Sequence, residues 1–169
     1  TKDNILKTAL HLFAQSGFEA VSVSQIAESL SITKGALYRH FESKQAIFDA
    51  ILSKMEQTDR DKASENGVPA DSADKTPDDY KKVSLEDVFK FSLQMFSYWT
   101  EDDFASSFRK ILTVEQYRSD KMKALYAQYL SQGPVQYVSD IFKALKIREP
   151  YTQASRFYSV LFTYYSLYD

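Results

Sequence analysis

Residues 22–41 read SVSQIAESLSITKGALYRHF, and the order of polar and apolar residues in this stretch decides the fold. Ser22 and Gln25 stand in the serine-x-x-glutamine relation of a capping box, which satisfies two orphaned backbone N–H groups at a helix start. Val23, Ile26, Ala27 and Leu30 follow at spacings of three and four, the inward face of a short helix. Thr33 is a second N-cap. From it a further short helix is expected to run to about His40, with Leu37 and Phe41 turned inward. Two short helices joined by a tight turn make a helix-turn-helix, whose second helix enters the major groove while the first braces it. With Leu37 and Phe41 committed to the core, Thr33, Lys34, Ala36, Tyr38 and His40 are left to face outward or sideways. Gly35 has no Cβ, so the helix start can come close to a phosphate or a base edge. That end also supplies backbone N–H groups and a positive partial charge. Lys44 falls in the first turn of the next helix, where the macrodipole disfavours a cation. Its place is easier to understand if an anion comes to meet it.

The rest of the chain extends this pattern. Upstream, ILKTALHLFAQSG (residues 5–17) carries Ile5, Ala9, Leu12 and Phe13 on one face, widened by Leu6 and Leu10. Gly17 closes that helix, Phe18 is placed to fold back on it, and His11 lies near the apolar stripe as a structural histidine. Ser43 caps a fourth helix bearing Ala46, Ile47, Ala50, Ile51 and Met55. Residues 58–82 hold two of the four prolines, almost no large aliphatic residue and many charges. They are expected to be a mobile connection, or a frayed helix end followed by a loop. Helical spacing resumes at Ser84, where SLED again has the capping-box form, with Leu85, Val88, Phe89, Leu93 and Phe96 along the stripe. Further helices are expected over about 102–117 and 121–130. Gly133-Pro134 is then an interruption, VQYVSDIFKAL continues as helix, and a last helix starts near Pro150.

Composition narrows the functional classes. The chain has 169 residues and a formal net charge of -2, so nucleic-acid binding must come from a local patch rather than a global field. Cysteine is absent, which removes disulfides, thiol catalysis and thiolate metal sites. Glycine and proline number four each and strand-like alternation is hard to find, so the chain is read as all-α. No apolar run approaches the roughly 20 residues that span a bilayer. A soluble, cytoplasmic protein without membrane contact is expected. A hydrolase or metal enzyme fits poorly with two histidines, no strand-turn-helix nucleophile site and scattered carboxylates. No catalytic residue, cofactor or metal is therefore expected.

The residues from Ile5 to Ile51 closely resemble the DNA-binding domain of TetR/AcrR-type transcriptional regulators. The resemblance is carried by GF at 17–18, IA at 26–27, TKGALYRHF at 33–41 and SK at 43–44. It implies that Lys34, Gly35, Tyr38, His40 and Lys44 touch DNA, supported by Ser22, Ser24, Thr33 and Ala36. Arg39 is within reach of a phosphate or base at a position where the family varies. It also implies a three-helix DNA-binding domain over residues 1–45 and a larger helical effector-binding and dimerisation domain over 46–169. The expected partners are a double-stranded, near-palindromic operator, a second copy of the chain, and a small-molecule effector that releases a repressor from DNA. Dimerisation in this family rests mainly on its last two helices. FYSVLFTYYSLYD looks like the first of the pair, with Phe157, Tyr158, Leu161 and Tyr165 as interface residues, and a further helix would follow Asp169.

Aromatic residues crowd the second half: eleven tyrosines, eight phenylalanines and Trp99 between Tyr80 and Asp169. They serve equally as a bulky core or as the wall of a cavity with apolar faces and a few polar tips. On the second reading the effector is apolar or aromatic, and Phe96, Trp99, Phe108, Tyr117, Tyr126 and Tyr129 line its pocket. A relative that acts through a protein partner, without a ligand, would instead have a fully packed interior.

Overall fold

The computed structural model describes residues 1–70, 80 and 82–168, and every regular element among them is an α-helix. Four helices form the first part: α1 (Lys2–Ser16), α2 (Val23–Ser29), α3 (Lys34–Tyr38) and α4 (Lys44–Glu65). Five follow: α5 (Leu85–Glu101), α6 (Asp103–Glu115), α7 (Asp120–Leu130), α8 (Gln132–Ala144) and α9 (Pro150–Tyr165).

Six of these helices, α2 to α7, start where a capping side chain accepts from the first turn. Ser22 accepts from the Gln25 N–H while Gln25 accepts from the Ser22 N–H, a complete capping box. Thr33 and Ser43 each accept from the backbone N–H three residues on, at 3.1 and 3.0 Å. Ser84 and Asp87 form a second capping box. Gly17 ends α1 at φ +85°, donating to the Phe13 carbonyl at 2.8 Å, in a conformation costly for any residue with a Cβ. Phe18 then folds back between Phe13 and Phe48, with ring centroids 5.1 and 5.2 Å away. Each of these rings buries enough apolar surface to contribute about 1.5–3 kcal/mol.

Helix ends depart further from expectation. α3 stops at Tyr38 rather than near His40; Arg39 is its C-cap and His40 lies in the following turn. α4 continues without a break to Glu65, eight residues into the stretch expected to be mobile or frayed. Residues 71–79 and 81 of that stretch lie outside the described residues. Gly133-Pro134 does not interrupt α8 but sits in its first turn, where proline's missing N–H has no intrahelical partner to lose. The break falls at Ser131 instead. His11 is exposed and bonds to Gln15 at 2.9 Å, so it is no part of the core.

One apolar cluster runs from Ile5, Leu10 and Phe13 on α1 through Ile47, Ile51 and Met55 on α4 to Trp99, Phe108, Leu112 and Tyr158. A second, built from Ala63, Val88, Val138, Ile141, Phe142 and Ala154, closes the far end of the bundle. At the centre Arg109 is buried. Its Nε donates to the Trp99 carbonyl at 3.1 Å and its Nη1 to the Tyr165 carbonyl at 3.2 Å, tying the ends of α5 and α9 to α6.

Candidate nucleic-acid interface and interior cavity

The outer face of α3 is built by commitment of its inner one. Leu37 is fully buried and Phe41 half-buried, which leaves Thr33, Lys34, Gly35, Tyr38, Arg39 and His40 exposed and Ala36 half-exposed. Tyr38 is 44% exposed, and the Lys34 ammonium stands 5.8 Å from the centre of its ring. The space around Gly35 is open: a Cβ there would meet only Thr33 Oγ1, at 4.0 Å. Nothing inside the protein therefore demands glycine at this position. Ser24 is exposed on α2, whereas Ser22 and Thr33, also exposed, commit their hydroxyl oxygens as acceptors to the caps.

Lys44 has partners within the protein. Its Nζ donates to the Phe18 carbonyl at 2.7 Å and the Glu19 carbonyl at 3.3 Å, and lies 4.4 Å from the centre of the Phe18 ring. Its side chain is only 22% exposed. The unfavourable placement at the start of α4 is thus offset from within, by carbonyl oxygens of the α1–α2 turn and the Glu19 carboxylate at 3.9 Å. A cation not singled out from the sequence, Lys2, stands beside the α3–α4 turn, with its Nζ 5.8 Å from the centre of the Phe41 ring. Only the pairing of α1 with the α3–α4 turn puts it there.

Farther along the bundle lies a half-open cavity of about 470 Å³, lined by the last turns of α4, by α5 and by the α7–α9 segment. Of the residues expected to line it, Trp99 and Tyr129 do. Phe108 lies one layer deeper, fully buried, with its ring 5.2 Å from that of Tyr129. Phe96 stacks on Tyr165 at 5.1 Å outside the wall, Tyr126 is half-buried beyond it, and Tyr117 is 89% exposed. The α9 residues expected at a dimer interface are set on the cavity side of the helix. Phe157, Tyr158, Leu161 and Tyr165 all line the cavity, and the Tyr158 hydroxyl donates to the Leu130 carbonyl at 2.9 Å. The solvent face of α9 carries Tyr151, Val160, Phe162 and Tyr164.

α4 joins the two regions: it starts beside α3 and its last turns place Glu56, Asp59, Arg60 and Ala63 on the cavity. Burial pushes the Asp59 carboxyl up to about 7, with Glu56 adding to the rise and Lys62 and Arg60 opposing it. Burial also raises the Tyr129 and Tyr158 hydroxyls well above the usual phenol range. A second link runs through α6, whose buried Glu115 accepts from the Phe18 N–H at 3.2 Å. Phe18 is thus held by α6 through its N–H and by α4 through its carbonyl. Asp59, Arg109 and Glu115 carried a signal the sequence reading did not use. Asp59 continues the Ile47–Ile51–Met55 spacing toward Ala63, and the other two share the buried face of Ala105, Phe108 and Leu112.

Residues 5–51 match the tetR family of bacterial regulatory proteins. The chain is 48% identical over 46 residues to YerO of Bacillus subtilis, an uncharacterized HTH-type transcriptional regulator, a match covering 27% of this chain and 16% of that protein. It is 40% identical over 48 residues to the biofilm operon negative transcriptional regulator IcaR of Staphylococcus aureus, covering 28% of this chain and 26% of the relative. These matches span no more than about a quarter of either relative's length. Among solved structures, SmeT of Stenotrophomonas maltophilia, the repressor of a multidrug efflux pump, has a similar fold. The TM-score is 0.60 at 19% identity, over 95% of this chain and 76% of that one.

Proposed function

Residues 5–51 form a tetR-family domain, and from that premise we propose that the chain is a DNA-binding transcriptional repressor that acts as a homodimer in the cytoplasm and is released by a small-molecule effector. The observation that carries this reading is the outer face of α3, with Lys34, Tyr38, Arg39 and His40 exposed around a glycine whose surroundings are open. Lys34 and Tyr38, joined by Lys2, hold the DNA backbone. Gly35 lets the helix approach, and Arg39 and His40 lie at its far end. Lys44 supports this face from behind by fixing the α1–α2 turn.

The mechanism is geometric. Two copies of α3 must stand about 34–36 Å apart to enter successive major grooves of a near-palindromic site. An effector that binds better to a conformation with another spacing lowers DNA affinity by that difference. α4 is the lever, since one end sits beside α3 and the other forms part of the cavity. The α6–Phe18–Lys44 connection is a second route to the same turn. The cavity itself favours a ligand-responsive regulator over one with a fully packed interior.

Selection of bound fragments from a genomic library, followed by fluorescence anisotropy on the selected duplex, tests the reading. Specific binding well above that to competitor DNA is expected. A protein that prefers no duplex over bulk competitor ends it.

A further inference from the structure

Two side-chain atoms on the cavity are buried and have no hydrogen-bond partner among the described residues: Asp59 Oδ1 and the Tyr129 hydroxyl. A polar group in such a place costs folding free energy, and a carboxylate costs more than a neutral group. A protein that keeps one at a binding site keeps it for a partner. The surfaces around Asp59 favour one sign of partner. Trp99 and Tyr129 have ring centroids 6.1 Å apart, and Phe91, Tyr137 and Phe157 complete an aromatic wall. Aromatic faces attract cations. Glu56 supplies a second carboxylate on the same wall. The basic residue of the wall, Arg60, is exposed and donates to Gln57. Lys62 sets its ammonium on the Tyr98 ring at 4.5 Å.

We propose that the cavity takes a bulky lipophilic organic cation, its positive charge held between Asp59 and the faces of Trp99 and Tyr129. The proposal rests on the reading of this cavity as the effector site and names the effector's chemical class. The acidity of Asp59 is consistent with it: at about 7 the carboxyl is poised to ionise when a cation enters, releasing a proton. The ionisable groups in electrostatic reach are Glu56, Arg60 and Lys62 on α4, Tyr98 on α5, Tyr129 on α7 and Tyr165 on α9. Proton release is thus assigned to Asp59, because burial holds these tyrosines in their neutral form.

Three probes of similar bulk separate the possibilities: tetraphenylphosphonium, tetraphenylborate and triphenylphosphine oxide. Trp99, the chain's single tryptophan, reports their binding by fluorescence. The cation is expected to bind about tenfold or more tightly than the anion or the neutral oxide, and Asp59→Asn to remove about tenfold of that affinity. Near pH 7 the variant should melt no lower than the wild type, which shows that it folds. Calorimetry near pH 7 in buffers of different ionisation heat should detect a released proton in the wild type and none in Asp59→Asn. Equal or tighter binding of the anion or the oxide, or undiminished cation binding by the variant, overturns the cationic class and leaves the effector cavity standing. Failure of all three probes to bind overturns both.

Discussion

Gly35 is where the needs of the protein and of DNA separate. A Cβ there meets only a contact at 4.0 Å, so Gly35→Ala should fold normally and gain up to about 1 kcal/mol from better helix propensity. On the proposed reading of α3 as the DNA-contacting helix, the same methyl would lie between the helix and the duplex. Specific binding by anisotropy should weaken roughly tenfold while the melting temperature holds or rises. Retained affinity would show that close approach is not why glycine stands there. Lys34 and Lys44 make a second comparison, because sequence alone gave them the same role. Lys34→Ala should leave stability unchanged and reduce the salt slope of DNA binding by about one unit per protomer. Lys44→Ala removes hydrogen bonds to two carbonyls of the α1–α2 turn and should cost about 1–2 kcal/mol in thermal or urea unfolding. A normal melting curve with a reduced salt slope would return Lys44 to the DNA.

At the scale of elements, helix starts were legible because a cap is a local event between a side chain and an N–H two or three residues on. Ser22, Thr33, Ser43 and Ser84 show this. Helix ends were less legible, since tertiary contacts decide how far a helix is worth extending. The 58–65 stretch, expected to be a mobile connection or a frayed helix end, continues α4 as regular helix, with Ala63 buried in the cluster of Val138 and its neighbours. Contacts between elements were not legible at all. Glu115 of α6 meets Phe18 across 97 residues of chain. Glu115→Ala leaves that buried N–H without its acceptor and should destabilise the fold by about 1–3 kcal/mol in urea unfolding. Glu115→Gln, which keeps an acceptor, should recover most of it. If α6 transmits the effector signal through Phe18, the alanine variant should also narrow the difference in DNA affinity with and without effector. An unchanged difference assigns transmission to α4 alone.

For the whole molecule, the buried Asp59 predicts a pH dependence. Its folded pKa, about 7, lies above the ordinary value of 3.8, so between these values the folded protein holds a proton the unfolded chain has lost. Stability contributed by this site is therefore present at low pH and lost as pH rises through about 7. Urea midpoints from pH 4 to 8 should show wild type losing ground to Asp59→Asn as pH rises, levelling off above the folded pKa. Parallel curves would show that the carboxyl is not held protonated. Assembly is tested on α9, where Val160 is 56% exposed. Val160→Glu should keep the fold, shift sedimentation toward the monomer and weaken operator binding. An unchanged sedimentation profile would place the dimer surface elsewhere.

The amino-acid sequence by itself determined the helical class, the helix-turn-helix and the outward row on α3. Each follows from apolar spacing and capping within one or two turns of chain. Tertiary structure decided which polar groups were already spent and which way an apolar helix faces. Lys44 turns out to be bound to Phe18 and Glu19. On α9, apolar and aromatic residues occupy both sides, so periodicity could not say which side meets the chain's own core. The structure sends Phe157, Tyr158, Leu161 and Tyr165 inward to the cavity and leaves Val160 and Tyr164 in solvent. The cavity has the same origin. Trp99, Tyr129 and Asp59 come from three helices far apart in sequence, and only the packing of those helices sets a buried, partnerless carboxyl oxygen and those rings on one cavity.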